Sequence, residues 1–199
     1  MNHRYVIRGI VICMLLILVI VCIILVTPAN AYEGPRVTTA RQDALHEAAE
    51  RLRSAGYGED TPVLQALSEA WWREQEDLDI LAKVIAHEAD PEWCEWEHSV
   101  AVGVVVLNRV ASPYFPDSVK DVVAAPGQYL EAYTYGFDKT PRLCYEAAKA
   151  AMDGDHDVPA DCYWQDTHVQ GTAIWKAFTV DTGWFSSVTY ICRGIPGVS

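Results

Sequence analysis

The sequence predicts an α+β domain that is mostly helical and carries a small β-sheet near its C-terminus. Two observations support this fold class. Apolar residues recur at helical spacing over most of residues 39–153. After residue 160, two short segments are instead rich in β-branched and aromatic residues, as is typical of strands, at residues 162–164 and 187–192.

Three helices are expected first along the chain. Residues 39–55 have apolar side chains at helical spacing, and two glycines follow them. Thr61 is a candidate N-cap, and the proline after it suits the first turn of a second helix that runs to about residue 73. A third helix is expected over residues 77–89.

The fourth predicted helix, residues 97–110, is apolar almost all round. A helix of that composition is normally buried at the centre of a domain. Asn108 and Arg109 end it with polar side chains. We expect this pair to cap the last carbonyls or to bond to neighbouring loops, rather than to act in catalysis.

Two shorter helices are expected before the sheet. One runs to about residue 124 and has Asp117 as its predicted N-cap. The other begins at Thr140-Pro141 and ends at Asp153-Gly154, because proline suits a first turn and glycine suits the position after a last turn.

The third helix places a carboxyl group at the end of an apolar stripe. Leu78, Leu81, Ile85 and Glu88 are separated by three, four and three residues, so they share one helical face. Water-poor surroundings favour the protonated form of a carboxyl group. A protonated carboxylic acid can donate a proton to a glycosidic oxygen. The alternative is that Glu88 lies at an exposed helix end and pairs with Lys83 or solvent.

Four sequence blocks in this order resemble one known family. They are VIAHEA at residues 84–89, VGVVVLNRV at 102–110, FPDSVKDVV at 115–123 and QY at 128–129. This arrangement resembles the spore-cortex-lytic and cell-wall hydrolase family with SleB/CwlJ-type catalytic domains. The resemblance implies a lysozyme-like, lytic-transglycosylase-like fold over residues 77–199, with Glu88 in the position of the family's acid/base glutamate.

The same resemblance implies a glycan-cleaving enzyme that acts on peptidoglycan of the spore cortex or cell wall and needs no cofactor. Gln128 and Tyr129 occupy the family's Gln-aromatic block and are the first candidates for substrate binding. Tyr133 and Trp164 are further candidates, because aromatic rings bind the apolar faces of sugars. The block after Glu88 departs from the family pattern with DPEWCEW at residues 90–96.

Lytic transglycosylation, the reaction that the resemblance implies, needs one essential carboxyl group. The C6 hydroxyl of the substrate serves as the nucleophile and yields a 1,6-anhydro product. Hydrolysis becomes available if a second carboxylate faces Glu88 across the cleft. The candidates near it in sequence are Asp90, Glu92, Glu95 and Glu97.

The N-terminal segment predicts export. Two arginines precede an unbroken apolar run over residues 10–26, and small residues at positions 29 and 31 suit a signal peptidase. Residues 1–31 are therefore expected to be a cleaved signal peptide, with an uncleaved membrane anchor as the alternative. Residues 32–76 are expected to be a tether and helices that pack on the catalytic core.

Charge and cysteine content narrow the classes of partner. Without residues 1–31 the chain has 13 basic and 27 acidic residues, a net charge of −14. That charge argues against a nucleic-acid partner and against adhesion to anionic lipid. The exported part keeps four cysteines, so disulfides are expected, with three pairings open. Metal binding is disfavoured, because no Cys-x-x-Cys pair or second histidine of an HExxH motif is present.

Two other functions remain open at this stage. The chain could be a non-catalytic peptidoglycan-binding or sporulation-associated structural protein that keeps the catalytic fold, and the altered block after Glu88 favours that. The second of these functions is that of an amidase that cuts the stem peptide, and the chain lacks the metal-ligand pattern that such enzymes usually show. The products released from peptidoglycan distinguish these three functions.

Overall fold

The computed structural model describes most of the chain after the apolar leader. The described residues are 37–129, 132, 139–181, 183 and 185–198. The predicted signal peptide or anchor and the candidate residue Tyr133 lie outside them. Within the described ranges, no helix has the length and apolar character needed to cross a membrane.

Five helices and three strands have described bounds. They are α1 (Ala40–Ser54), α2 (Pro62–Glu88), α3 (Trp96–Val110), α4 (Val119–Ala124), α5 (Arg142–Asp153), β1 (Cys162–Asp166), β2 (Ala173–Asp181) and β3 (Ser186–Arg193). The expectation of a mostly helical α+β domain with a small C-terminal sheet is confirmed. The structure adds β2, whose residues were not predicted to form a strand.

The break predicted between residues 73 and 77 is wrong, because α2 runs unbroken from Pro62 to Glu88. The five residues in question are Arg-Glu-Gln-Glu-Asp, which include neither proline nor glycine, so nothing in them interrupts helical hydrogen bonding. Glu74 is buried and accepts a hydrogen bond of 3.0 Å from the Thr39 hydroxyl. Glu74 within the charged run therefore contacts the start of α1.

The helix starts agree with the sequence prediction only in part. Thr39 begins α1 with a complete capping box, in which it exchanges hydrogen bonds with Gln42. The prediction that Asp117 caps α4 is wrong. Ser118 is the N-cap, and its hydroxyl accepts a hydrogen bond from the Asp121 amide at 3.1 Å.

The sheet is antiparallel, with strand order β1-β3-β2. Because β3 is last in sequence but central in the sheet, β1 and β2 are joined across it by the loop at residues 167–172. Both pairings contain an irregularity near the start of β1 and β2. Irregularities of this kind increase the local twist of the strands. They lie close to the loop at residues 167–172.

The core is built around α3, as its composition predicted. The residues from His98 to Val106 are all buried, and α3 contacts α2, α4, α5 and β1. Gly103 allows the close approach of α5, because a Cβ atom on it would lie 3.0 Å from the Cβ of Ala151. The predicted apolar face of α2 is also confirmed, since Leu78, Leu81 and Ile85 have no exposed surface.

The four cysteines of the described chain are all free thiols. The disulfides expected from their even number are thus not formed in the structure. Three of the thiols, those of Cys144, Cys162 and Cys192, are fully buried in the core. Burial raises the pKa of Cys144 to about 12 and that of Cys162 to about 11, which leaves both in the unreactive thiol form at neutral pH.

Candidate active site

A cavity of about 300 Å³ lies where the ends of α2 and α3 meet the sheet. Its walls come from five parts of the chain: the last residue of α2, the last turn of α3, the segment after α4, β1 with the loop that follows it, and β3. The lining residues are Glu88, Arg109, Gly127, Gln128, Tyr129, Gln165, Asp166, Thr167, Gln170 and Thr189. The lining is predominantly polar, as suits a ligand rich in hydroxyl and amide groups.

Glu88 reaches this cavity because it is the last residue of α2, one turn beyond the buried Ile85. Its side chain is 30% exposed. One carboxyl oxygen lies 3.1 Å from Nδ1 of His87, and the other accepts a long hydrogen bond of 3.4 Å from Nε2 of Gln165. The alternative pairing of Glu88 with Lys83 is not among the ion pairs of the described residues.

Asp166 brings a second carboxylate to the cavity, from the end of β1. It accepts hydrogen bonds from the Thr167 hydroxyl at 3.2 Å and from the His168 amide at 3.1 Å, as well as one from Gln170 Nε2. Burial alone would raise the pKa of Asp166, but these hydrogen bonds together lower it below its usual value. Asp166 is therefore an ionised group at neutral pH.

The loop that supplies these donors depends on Gly171. Its φ of +72° lies in the left-handed region, and a Cβ atom there would lie 2.4 Å from the Arg193 carbonyl oxygen. The next residue, Thr172, donates its amide to that same carbonyl at 2.8 Å. A close backbone approach to β3 thus fixes the loop around Asp166.

Arg109 lines the same cavity together with two predicted binding residues. Its guanidinium donates to the Tyr163 carbonyl at 2.7 Å and to Oε1 of Gln128. It also lies 5.5 Å from the centre of the Tyr129 ring. Tyr129 is 6% exposed, and its hydroxyl has no hydrogen-bond partner among the described residues. Burial raises the pKa of Tyr129 to about 12, so it remains protonated.

Three of the five predicted site residues thus line one cavity: Glu88, Gln128 and Tyr129. Trp164 is not among the described residues that line the cavity. Its indole donates to the Gly194 carbonyl at 2.7 Å, and its ring packs against Arg109 and Phe115. Tyr133 falls on residues that the structure does not describe.

The four acids near Glu88 in sequence do not line the cavity. One of them, Glu97, pairs with Lys176 on β2. Sequence reasoning missed Asp166, Gln165 and Arg109 as site residues. Arg109 alone gave a local signal, since it follows a continuous apolar run that is expected to be buried, and a buried arginine needs partners.

No three histidine, cysteine, aspartate or glutamate side chains are grouped closely enough to hold a metal ion in the described ranges. The polar groups at the cavity are carboxyls, amides, hydroxyls and one guanidinium. These groups can transfer a proton and can bind a neutral polar ligand by hydrogen bonds.

Comparison with known proteins connects this geometry to a family. The model of the cell wall hydrolase family matches residues 95–188, which include α3, the segment with Gln128 and Tyr129, and all of β1 and β2. Glu88 lies just before the matched residues. No solved structure matches the chain.

One curated relative is a spore cortex-lytic enzyme from Oceanobacillus iheyensis, which is 36% identical over 73 residues. The alignment covers 37% of this chain and 26% of that enzyme, so the chain spans about a quarter of the relative's length. Both comparisons agree with the resemblance that the four sequence blocks carry. The family match covers residues 95–188, a little under half of the chain, and it is to the same family that the four sequence blocks resemble.

Proposed function

We propose that this protein cleaves the glycan strands of peptidoglycan, with Glu88 as its acid/base. The observation that carries the proposal is that Glu88 enters the cavity beside polar groups suited to a glycan. The match of residues 95–188 to the cell wall hydrolase family supports the same substrate class. The name of the Oceanobacillus relative favours spore cortex as the form of peptidoglycan.

The reaction proposed is lytic transglycosylation. Glu88 donates its proton to the oxygen between muramic acid and glucosamine, and the bond from that oxygen to C1 of muramic acid breaks. The Glu88 carboxylate then takes the proton of the muramic C6 hydroxyl while that oxygen bonds to C1. The product is a 1,6-anhydro sugar, and Glu88 is again protonated.

Both carboxyl oxygens of Glu88 have a polar neighbour in the structure. Gln165 Nε2 donates to one carboxyl oxygen, and His87 Nδ1 lies against the other. Neither of these two neighbours is a lysine or an arginine.

Asp166 gives a second candidate reaction, which is hydrolysis. It lines the same cavity as Glu88 and is held ionised by hydrogen bonds from its own loop. Glycoside hydrolases that use a water nucleophile or a covalent intermediate carry two carboxyl groups in one cleft, and Glu88 and Asp166 supply two such groups here. In that reaction Asp166 takes the place of the four acids near Glu88 in sequence.

The products distinguish the two reactions. The full chain is incubated in mild detergent with purified cortex and with vegetative peptidoglycan, and soluble muropeptides are analysed by mass spectrometry. Transglycosylation gives fragments one water molecule lighter than hydrolysis does. We expect the lighter fragments from the native chain and none from Glu88→Gln. Glu92→Gln, an exposed neighbour outside the cavity, is the matched control and should retain activity.

Asp166→Asn completes the test. Under transglycosylation it should still release anhydro fragments, whereas under hydrolysis it should abolish release while the protein stays folded. Undiminished release by Glu88→Gln would refute the acid/base role. Binding of glycan without release of any fragment would favour the non-catalytic peptidoglycan-binding function instead.

A further inference from the structure

Arg109 is a buried cation with an unusual set of partners. It is 3% exposed and has no carboxylate within ion-pair distance among the described residues. Its guanidinium carbon instead lies 5.5 to 5.7 Å from the centres of three aromatic rings. Contacts of this kind offset part of the cost of burying a charge, and hydrogen bonds must satisfy its polar hydrogens.

Its two hydrogen bonds connect separate parts of the chain. Nε donates to the Tyr163 carbonyl on β1 at 2.7 Å, and Nη1 donates to Oε1 of Gln128 in the segment after α4. A simple helix cap would bond the last carbonyls of its own helix, whereas these bonds reach across to β1 and to the wall of the cavity. Arg109 therefore joins three elements at the site.

The contact with Arg109 determines how the Gln128 amide is oriented. A guanidinium has only donors, so the amide must present its oxygen to it. The amide nitrogen of Gln128, with two hydrogens, then points away from Arg109. Gln128 is exposed and lines the cavity, so these hydrogens are available to a ligand.

We propose that Arg109 is a positioning residue that holds the Gln128 amide with its Nε2 hydrogens toward the bound glycan, where they donate to the carbonyl oxygen of a sugar acetamido group. The proposal rests on the proposed function and adds to it a substrate group that the site recognises. An acetamido carbonyl is an acceptor without a donor of its own, so it is the complement of a fixed NH₂ group. A sugar whose free amine is protonated offers only donors at that position and is disfavoured.

Binding is measured in the Glu88→Gln background, so that the ligand is not consumed. The probes are an N-acetylglucosamine tetrasaccharide and the same tetrasaccharide with its acetyl groups removed. Gln128→Glu is the decisive variant, because it keeps the side-chain length and the contact with Arg109 but removes both hydrogens of Nε2. We expect it to weaken binding of the acetylated probe by at least about fivefold and to improve binding of the free-amine probe.

Two controls separate local effects from general ones. Gln65→Glu on the exposed face of α2 adds the same charge away from the cavity and should not change the preference for the acetylated probe. Arg109→Lys keeps the positive charge but lacks the planar fork that reaches both partners. In the otherwise native chain, Arg109→Lys should raise KM for peptidoglycan with little change in kcat, whereas Arg142→Lys at an exposed ion pair should change neither.

The outcomes are distinguishable from failure of the proposed function. If Gln128→Glu and its parent show the same preference between the two probes, the proposed role of the Nε2 hydrogens is overturned. That conclusion holds even if Glu88 proves to be the acid/base. A fall in thermal stability of Arg109→Lys with KM unchanged would show that Arg109 is only structural. If the parent binds neither probe, the proposal fails. Loss of fragment release on Glu88→Gln is a separate result that bears on the reaction alone.

Discussion

His98 is expected to make the protein sensitive to mild acid. The residue lies in the first turn of α3, and its side chain has no exposed surface. Its ring stacks on Phe178 of β2, with centroids 4.7 Å apart and planes 6° from parallel. Neither ring nitrogen has a hydrogen-bond partner among the described residues. Protonation would place an unpaired charge in the core, so burial lowers the pKa of His98 from 6.5 to about 4.

The size of the effect follows from that shift. The unfolded chain takes up a proton at His98 below pH 6.5, while the folded chain does so only near pH 4. The contribution of His98 to the free energy of unfolding is therefore constant above pH 7. It falls as the pH decreases through 6.5 toward 4. The loss is about 1.4 kcal/mol at pH 5.5 and approaches about 3 kcal/mol near pH 4.

Urea denaturation at pH 7.5 and at pH 5.5 measures this loss in the native chain and in His98→Leu. Leucine fills a similar volume without a titratable group. Other groups titrate in both proteins, so they cancel in the difference. We expect the native chain to lose about 1.4 kcal/mol more than the variant between the two pH values. Stability curves that stay parallel within about 0.5 kcal/mol would refute the burial argument.

Three further changes test other parts of the fold. Gly103→Val should cost about 2–3 kcal/mol in urea denaturation, because the new side chain meets Ala151 where α3 and α5 touch. Burial and nearby acids raise the pKa of Asp77 from 3.8 to about 6, so its ionisation costs stability as the pH rises through 6. Asp77→Asn should therefore raise Tm at pH 8 but not at pH 4. Thr39→Ala should cost about 1–2 kcal/mol, because it removes both the capping box of α1 and the hydrogen bond to Glu74.

Local pattern predicted the helices well because their signals lie within a few residues of each other. The stripe of Leu78, Leu81 and Ile85 marked the buried face of α2, and Thr39 marked the start of α1. The same reasoning failed between residues 73 and 77, where a break between two helices was predicted. Residues 73–77 contain no helix breaker, and Glu74, although charged, is buried against Thr39 at the start of α1.

Half of the candidate site could be predicted, for a related reason. Glu88, Gln128 and Tyr129 belong to the blocks that carry the family resemblance, so their residue types were informative in themselves. Asp166 and Gln165 follow no recognisable motif, and their role depends on where β1 lies relative to the end of α2. Distance along the chain was a poor guide to the second carboxylate, because the acids that follow Glu88 in sequence do not line the cavity.

Two adjacent residues at the end of α3 determine how the two halves of the site meet. Asn108 Nδ2 donates to the Pro159 and Cys162 carbonyls at 2.9 and 3.0 Å, and Arg109 donates to the Tyr163 carbonyl. Three hydrogen bonds thus fix the start of β1 against the buried central helix. Because Asp166 lies only three residues farther along β1, its position relative to Glu88 depends on this attachment. The sheet is therefore part of the candidate active site, and changes at the end of α3 should alter the position of Asp166 through β1 even where they leave Glu88 in place.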